Sequence, residues 1–123
     1  MNEGKKNIIA QKSYSFALQI VETYKGLVEK KEFVLSKQLL KSGTSIGANV
    51  HEAIAGESKS DFVHKLAIAA KEARETSYWL NLLLDSFYIS MDDYVKLSTP
   101  CEEILKILNS IILTTKERYS LKS

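Results

Sequence analysis

Residues 58–87 read SKSDFVHKLAIAAKEARETSYWLNLLLDSF, without a proline or a glycine, and the spacing of their apolar side chains decides the fold. Phe62, Leu66, Ala69, Ala73, Thr76, Leu80, Leu83 and Phe87 alternate steps of four and three. That rhythm keeps one line of side chains on one face of a helix and is the seam of a helical bundle. It predicts a helix over about 59–89. A second stripe, Ile68, Glu72, Glu75, Trp79 and Leu82, follows the same steps about 120° around the axis. One bundle core accounts for the first stripe. The second, with its large Trp79 and its carboxylates, either widens that core or faces another subunit, so a homo-oligomer is expected.

Moving upstream, Gly56 is placed to close the preceding helix in a left-handed turn, and Ser58 with Asp61 forms a capping-box pattern. The preceding helix is predicted over 36–55, with Ser36 as its N-cap and Leu39, Ile46, Val50 and Ile54 facing the core. Gly43, Ser45, Gly47 and Ala48 between them would let another backbone approach closely, offsetting the roughly 0.8–1.0 kcal/mol that each glycine costs inside a helix. The first helix is predicted over 7–30, with Phe16, Ala17, Ile20, Val21, Tyr24, Leu27 and Val28 on one face. Downstream, Tyr94, Ser98, Cys101, Leu105, Leu108, Ile112, Thr115 and Tyr119 repeat the four-three rhythm and predict a helix over 92–119. Pro100 lies inside that span, and Thr99 to Glu102 fits a capping box. Either a kink or a short leading turn at 92–98 is therefore expected. Short connections give an all-α, antiparallel up-down four-helix bundle, one domain over 1–123.

Composition agrees with a folded globule. The 123 residues are 45% hydrophobic and 26% charged, with one Pro and five Gly. The N-terminal Met-Asn-Glu-Gly-Lys-Lys precedes only the short apolar run Ile8, Ile9, Ala10. That run is too brief for a signal-peptide core or a membrane span, so a cytoplasmic protein without membrane contact is expected. A single cysteine, Cys101, excludes an internal disulfide and a Cys-based zinc site, and reads as core filler. Net charge is +2, but residues 1–41 hold eight Lys against four Glu. A basic first third is compatible with phosphate contacts, while the whole falls short of a dedicated nucleic-acid binder.

Three constellations bear on chemistry. Glu52, Glu72 and Glu75 could meet between helices, but a di-iron bundle needs Glu-x-x-His twice, and neither Glu72 nor Glu75 starts such a pair. His51-Glu52 lacks the second His at position 55 of a zinc-protease helix. The expectation is a partly buried polar network with Asn49, Lys71 or Arg74 that fixes helix register, with no metal and no cofactor. His51 and His64 stand alone, and no Ser-His-Asp or Cys-His arrangement is legible. The six tyrosines lack the sheet platform of an RNA-recognition module. For phosphate contact the candidates are Lys5, Lys6, Lys12, Lys25, Lys30, Lys31, Lys37 and Lys41, set against a plain solvated lysine face.

The run from Ser42 through Gly43, Ser45, Gly47, Asn49 and Glu52 to Ala53, then Ser58 to Phe62, then Lys71 to Glu75 with Trp79, resembles the four-helix bundle proteins encoded in intervening sequences of bacterial 23S rRNA genes. Lys12 to Ile20 is also similar to that family's first helix, so the resemblance covers nearly the whole chain. It implies an antiparallel four-helix protomer in a ring-like homopentamer, no enzymatic activity, and nucleic-acid association as an expectation. A branch similar in fold, the accessory proteins of diversity-generating retroelements, is more basic than this chain. The chain departs from the family pattern Ser-Ile-Pro-Ala-Asn-Ile-Ala-Glu-Gly at Gly47 and at Ala53. Ser45, Asn49, Glu52, Glu72, Glu75 and Trp79 are the matched positions, expected to be structural or interfacial. Two functions are expected: an RNA- or ribonucleoprotein-binding oligomer, or a protein-interaction scaffold without nucleic acid.

Overall fold

The computed structural model describes residues 3–120; the extreme ends of the predicted 1–123 domain lie outside them. The chain is four helices, α1 (Glu3–Glu29), α2 (Leu35–Ala55), α3 (Lys59–Asp85) and α4 (Met91–Tyr119), with no strand among the described residues. One apolar cluster draws on all four, with Phe16, Ile20, Leu39, Ile46, Leu66, Leu80, Ile104 and Leu108 among its fully buried side chains. Each such side chain stabilises the fold by roughly 1.5–3 kcal/mol relative to exposure.

The α3 seam is buried from Phe62 through Leu83 as its spacing predicts, and the second stripe is half-buried at Ile68, Glu72, Trp79 and Leu82. The seam stops there. α3 ends at Asp85 rather than near 89, and Phe87 stands 92% exposed with φ 67°. α1 begins four residues earlier than predicted, and its core line also takes in Ile9 and Ser13.

The α1–α2 seam is tight because α2 lacks side chains where α1 comes nearest. A Cβ on Gly43 would sit 2.7 Å from Ile20 Cγ1, and one on Gly47 would sit 3.2 Å from the Ser13 carbonyl oxygen. Ile20 meets Gly43 while Ser13 meets Gly47, so the contacts descend α1 as they climb α2. Across α2 and α3 the buried Thr76 Oγ1 and Ser42 Oγ lie 3.0 Å apart. Between α3 and α4, Tyr94 Oη donates to Asn81 Oδ1 at 2.6 Å and Cys101 Sγ donates to the Ala73 carbonyl at 3.4 Å. Burial pushes the Cys101 thiol up to about 11, so it stays protonated and serves as filler.

Three local expectations about α2 are corrected. Ser36 does not cap α2: it is buried inside the first turn, and the Val34 position has no side-chain cap. Gly56 closes α2 in an extended conformation (φ −65°, ψ 154°), not a left-handed one. Ile54, expected in the core, is 37% exposed, and the last apolar contact of α2 is made by Ala53.

α4 begins at Ser90, whose Oγ accepts the Asp93 N–H at 3.1 Å, and runs unbroken through Pro100, so Thr99 is interior and caps nothing. The carbonyl that Pro100 leaves without a donor belongs to the exposed Lys96, where water can replace the bond. The buried line of α4 is Leu97, Cys101, Ile104, Leu108, Ile111 and Thr115. Leu105 and Ile112 are half-buried flanks and Tyr119 is exposed. Adjacent apolar pairs at 104/105 and 111/112 satisfy both rhythms, and periodicity alone does not choose between them.

Candidate nucleic-acid interface

The eight candidate lysines do not form one patch. Lys5 and Lys6 sit in the first turns of α1, about 35 Å along the helix from Lys30. Lys6 Nζ is 3.8 Å from Glu3 and 5.8 Å from the Phe62 ring centre. Lys12 is held on the α4 side by Glu103, 2.7 Å away. The other five lie within about six residues of the connection from α1 to α2. There Lys25 pairs with Glu22 at 3.6 Å, and Lys30 Nζ donates to the Tyr88 carbonyl at 3.2 Å, tying this connection to the one between α3 and α4. Lys31 and Lys37 make no ion pair among the described residues. Lys37 and Lys41 border a shallow recess of about 420 Å³ on α2.

Local backbone chemistry fixes this end. α1 closes with Lys31 in the left-handed region (φ 64°), its N–H donating to the Val28 carbonyl and the Glu32 N–H to the Leu27 carbonyl. That is the Schellman arrangement, here without glycine. Glu32, 7% exposed, then caps α2 from outside. Its carboxylate accepts the N–H groups of Val34 (3.2 Å), Leu35 (2.7 Å) and Ser36 (2.7 Å), while Ser36 Oγ donates to the Glu32 carbonyl. Burial alone would raise the Glu32 pKa, but these donors outweigh it and hold the carboxyl below its ordinary value. Sequence reasoning missed Glu32. The available signal was a carboxylate just ahead of a helix that starts without Ser, Thr, Asp or Asn at its cap.

The expected polar network assembles only in part. Asn49 Nδ2 donates to the Ser45 carbonyl at 2.9 Å and to Ser45 Oγ at 3.2 Å. Glu72 is half-buried, and its pKa is raised first by burial and then by the neighbouring charge of Glu75, with Lys71 and Lys41 pulling the other way. Glu52 is exposed on α2, in an open groove of about 820 Å³ between α1 and α2 edged by Tyr14 and His51. No group of three His, Cys, Asp or Glu side chains among the described residues is placed to hold a metal, so the three glutamates do not converge. Trp79 is half-buried, edge-on to Tyr78 with ring centres 5.0 Å apart, and its covered Nε1 has no acceptor.

Residues 5–110, which reach into all four helices and include the eight candidate lysines, match the model of the 23S rRNA-intervening sequence protein family. The chain belongs to that family. A solved structure from Bacteroides thetaiotaomicron, a protein of unknown function from the S23 ribosomal protein family, is 53% identical with a TM-score of 0.86. The match covers 88% of this chain and 97% of that one. No curated protein matches. Among the described residues, no helix is long and apolar enough to cross a membrane.

Proposed function

We propose that this chain is a non-enzymatic cytoplasmic protein, an antiparallel up-down bundle assembled as a homopentamer, that binds RNA or a ribonucleoprotein through a lysine-bearing surface repeated around the ring. The observation that carries the reading is that Lys25, Lys30, Lys31, Lys37 and Lys41 all lie within about six residues of one connection, with Lys31 and Lys37 outside any ion pair among the described residues. A few phosphate contacts per protomer bind weakly; five copies bound at once multiply that through effective concentration. The half-buried outer stripe of α3, with Glu72 desolvated and Trp79 incompletely covered, supports assembly through that face.

A second reading, a protein-interaction scaffold, is favoured by the open groove between α1 and α2, whose exposed lining is mostly apolar. Light-scattering mass measured beside salt-titrated binding to structured RNA separates the two. The RNA reading expects a pentamer whose affinity falls with a log–log salt slope of about −0.7 to −0.9 per phosphate contact. An oligomer indifferent to RNA at low salt moves the assignment to the scaffold. Trp79→Ala is expected to lower the assembled mass; an unchanged mass places Trp79 wholly in the intramolecular packing.

A further inference from the structure

Both chain reversals at the lysine-bearing end expose large apolar side chains. The α1–α2 connection presents Phe33 at 56% and Val34 at 71% exposure, and the α3–α4 connection presents Phe87 at 92%, with Tyr88 and Met91 beside it. Phe87 is the informative one. It occupies the left-handed position that closes α3, with its N–H donating to the Leu84 carbonyl and the Tyr88 N–H to the Leu83 carbonyl. A residue with a Cβ is strained there, and glycine is the usual occupant. Its ring receives almost no packing in return, so the fold itself gives no reason for a phenylalanine at this position.

We infer that this tip is a stacking platform for unpaired RNA bases, with Phe33 and Phe87 as the ring faces and the α1–α2 connection holding the phosphates; the inference rests on the RNA-binding reading above. Aromatic faces interleaved with lysines are the chemistry by which single strands are held, since every base offers a π-face and every linkage a charge. The charges divide the work. Lys30, Lys31 and Lys37 flank Phe33 together with Glu29 and Glu32, the Glu32 carboxylate being taken up by the start of α2, whereas Asp85, Asp92 and Asp93 flank Phe87 and Met91. Phosphates therefore track the first connection, and bases lean toward the second. Lys30 joins the two through its bond to the Tyr88 carbonyl and retains two further N–H donors for a phosphate. Beside it lies a recess of about 270 Å³, bordered by Gly26, Tyr88 and Lys96 and also by the carboxylates of Glu22 and Asp93. The same aspartates weigh against a lipid surface, because sinking Phe87 into an apolar layer would carry three exposed carboxylates toward it. Stacking leaves them in water.

The test uses the full chain and a fluorescein-labelled oligouridylate in fluorescence anisotropy at low salt, beside a duplex of equal length and cosedimentation with phosphatidylcholine–phosphatidylserine vesicles. Wild type is expected to prefer the single strand. Phe33→Ser is expected to keep the melting temperature and Phe87→Gly, which relieves the backbone, to keep or slightly raise it, while each weakens binding about tenfold and Phe87→Trp retains that binding. If wild type binds RNA and both variants bind equally well, the platform is overturned while the RNA reading stands. If neither single strand nor duplex binds, both fall. Vesicle binding lost in Phe87→Gly, with no RNA binding, overturns the inference in favour of a lipid surface.

Discussion

After α1 and after α3 the chain turns back with the same backbone closure, Lys31 and Phe87 each taking the left-handed position and the next N–H returning to the carbonyl of Leu27 or Leu83. The two reversals part at the next residue. Beyond Lys31 the buried Glu32 carboxylate gathers three N–H groups and its carbonyl takes the Ser36 hydroxyl, so the first turn of α2 is bound to the residue that ends the reversal. Beyond Phe87 the chain reaches α4 through Ser90, which satisfies a single N–H from an exposed position. The first reversal is cross-linked by a charge; the second is anchored by the buried Ile89 side chain and by the Lys30 bond to the Tyr88 carbonyl. A carboxylate collecting several donors in a covered site is worth more than a hydroxyl in water, because each bond to a charged group contributes about 1.5–3 kcal/mol against about 1 for a neutral one.

The contrast is broken most severely at Glu32. Glu32→Ala is expected to cost about 3 kcal/mol in urea unfolding at pH 7, since it strands three helix-start N–H groups near buried surface. Because the folded pKa lies below the ordinary 4.5, the stability Glu32 supplies is complete above pH ~4.5 and is lost as pH falls through the folded value. The gap between wild type and Glu32→Ala should therefore narrow below pH ~4.5. A gap that stays constant to the lowest pH at which both fold would remove the carboxylate's charge from the explanation.

Ser90→Ala addresses the second reversal and is expected to cost about 1 kcal/mol, the ordinary worth of an exposed N-cap, with no pH dependence of its own. A loss as large as that at Glu32 would erase the distinction between the two connections.

Sequence pattern locates helices where it repeats over many residues and errs where a single side chain decides. The α3 seam is legible because Phe62, Leu66, Ala69, Ala73, Thr76, Leu80 and Leu83 repeat one geometric rule, and Gly43 and Gly47 are legible as a close approach because nothing else excuses glycine inside a helix. Ser36 reads as a cap because cap propensity is blind to a carboxylate four residues upstream. Phe87 reads as core because its spacing continues the seam, although the helix ends two residues before it. The candidate site is legible only as a set of lysines. Which of them share a surface depends on where α1 stops, and the aromatic half of the tip depends on two helix ends whose left-handed residues are not glycine.

The smallest expected effects sharpen the comparison furthest, because they isolate what the two reversals share. Lys31→Gly and Phe87→Gly each place glycine at a left-handed position, relieving roughly 1 kcal/mol of backbone strain while adding conformational freedom to the unfolded chain, for a net gain of about 0.5 kcal/mol or less. If strain alone sets the outcome, the two gains are equal. If the Phe87 ring is held by the fold despite its exposure, Phe87→Gly loses stability where Lys31→Gly does not, and the residue has a structural reason to be there. Matched thermal melts of the two variants distinguish these cases. Equal small gains leave Phe87 as a residue the bundle tolerates at some expense, whose aromatic face is free to serve something outside the fold.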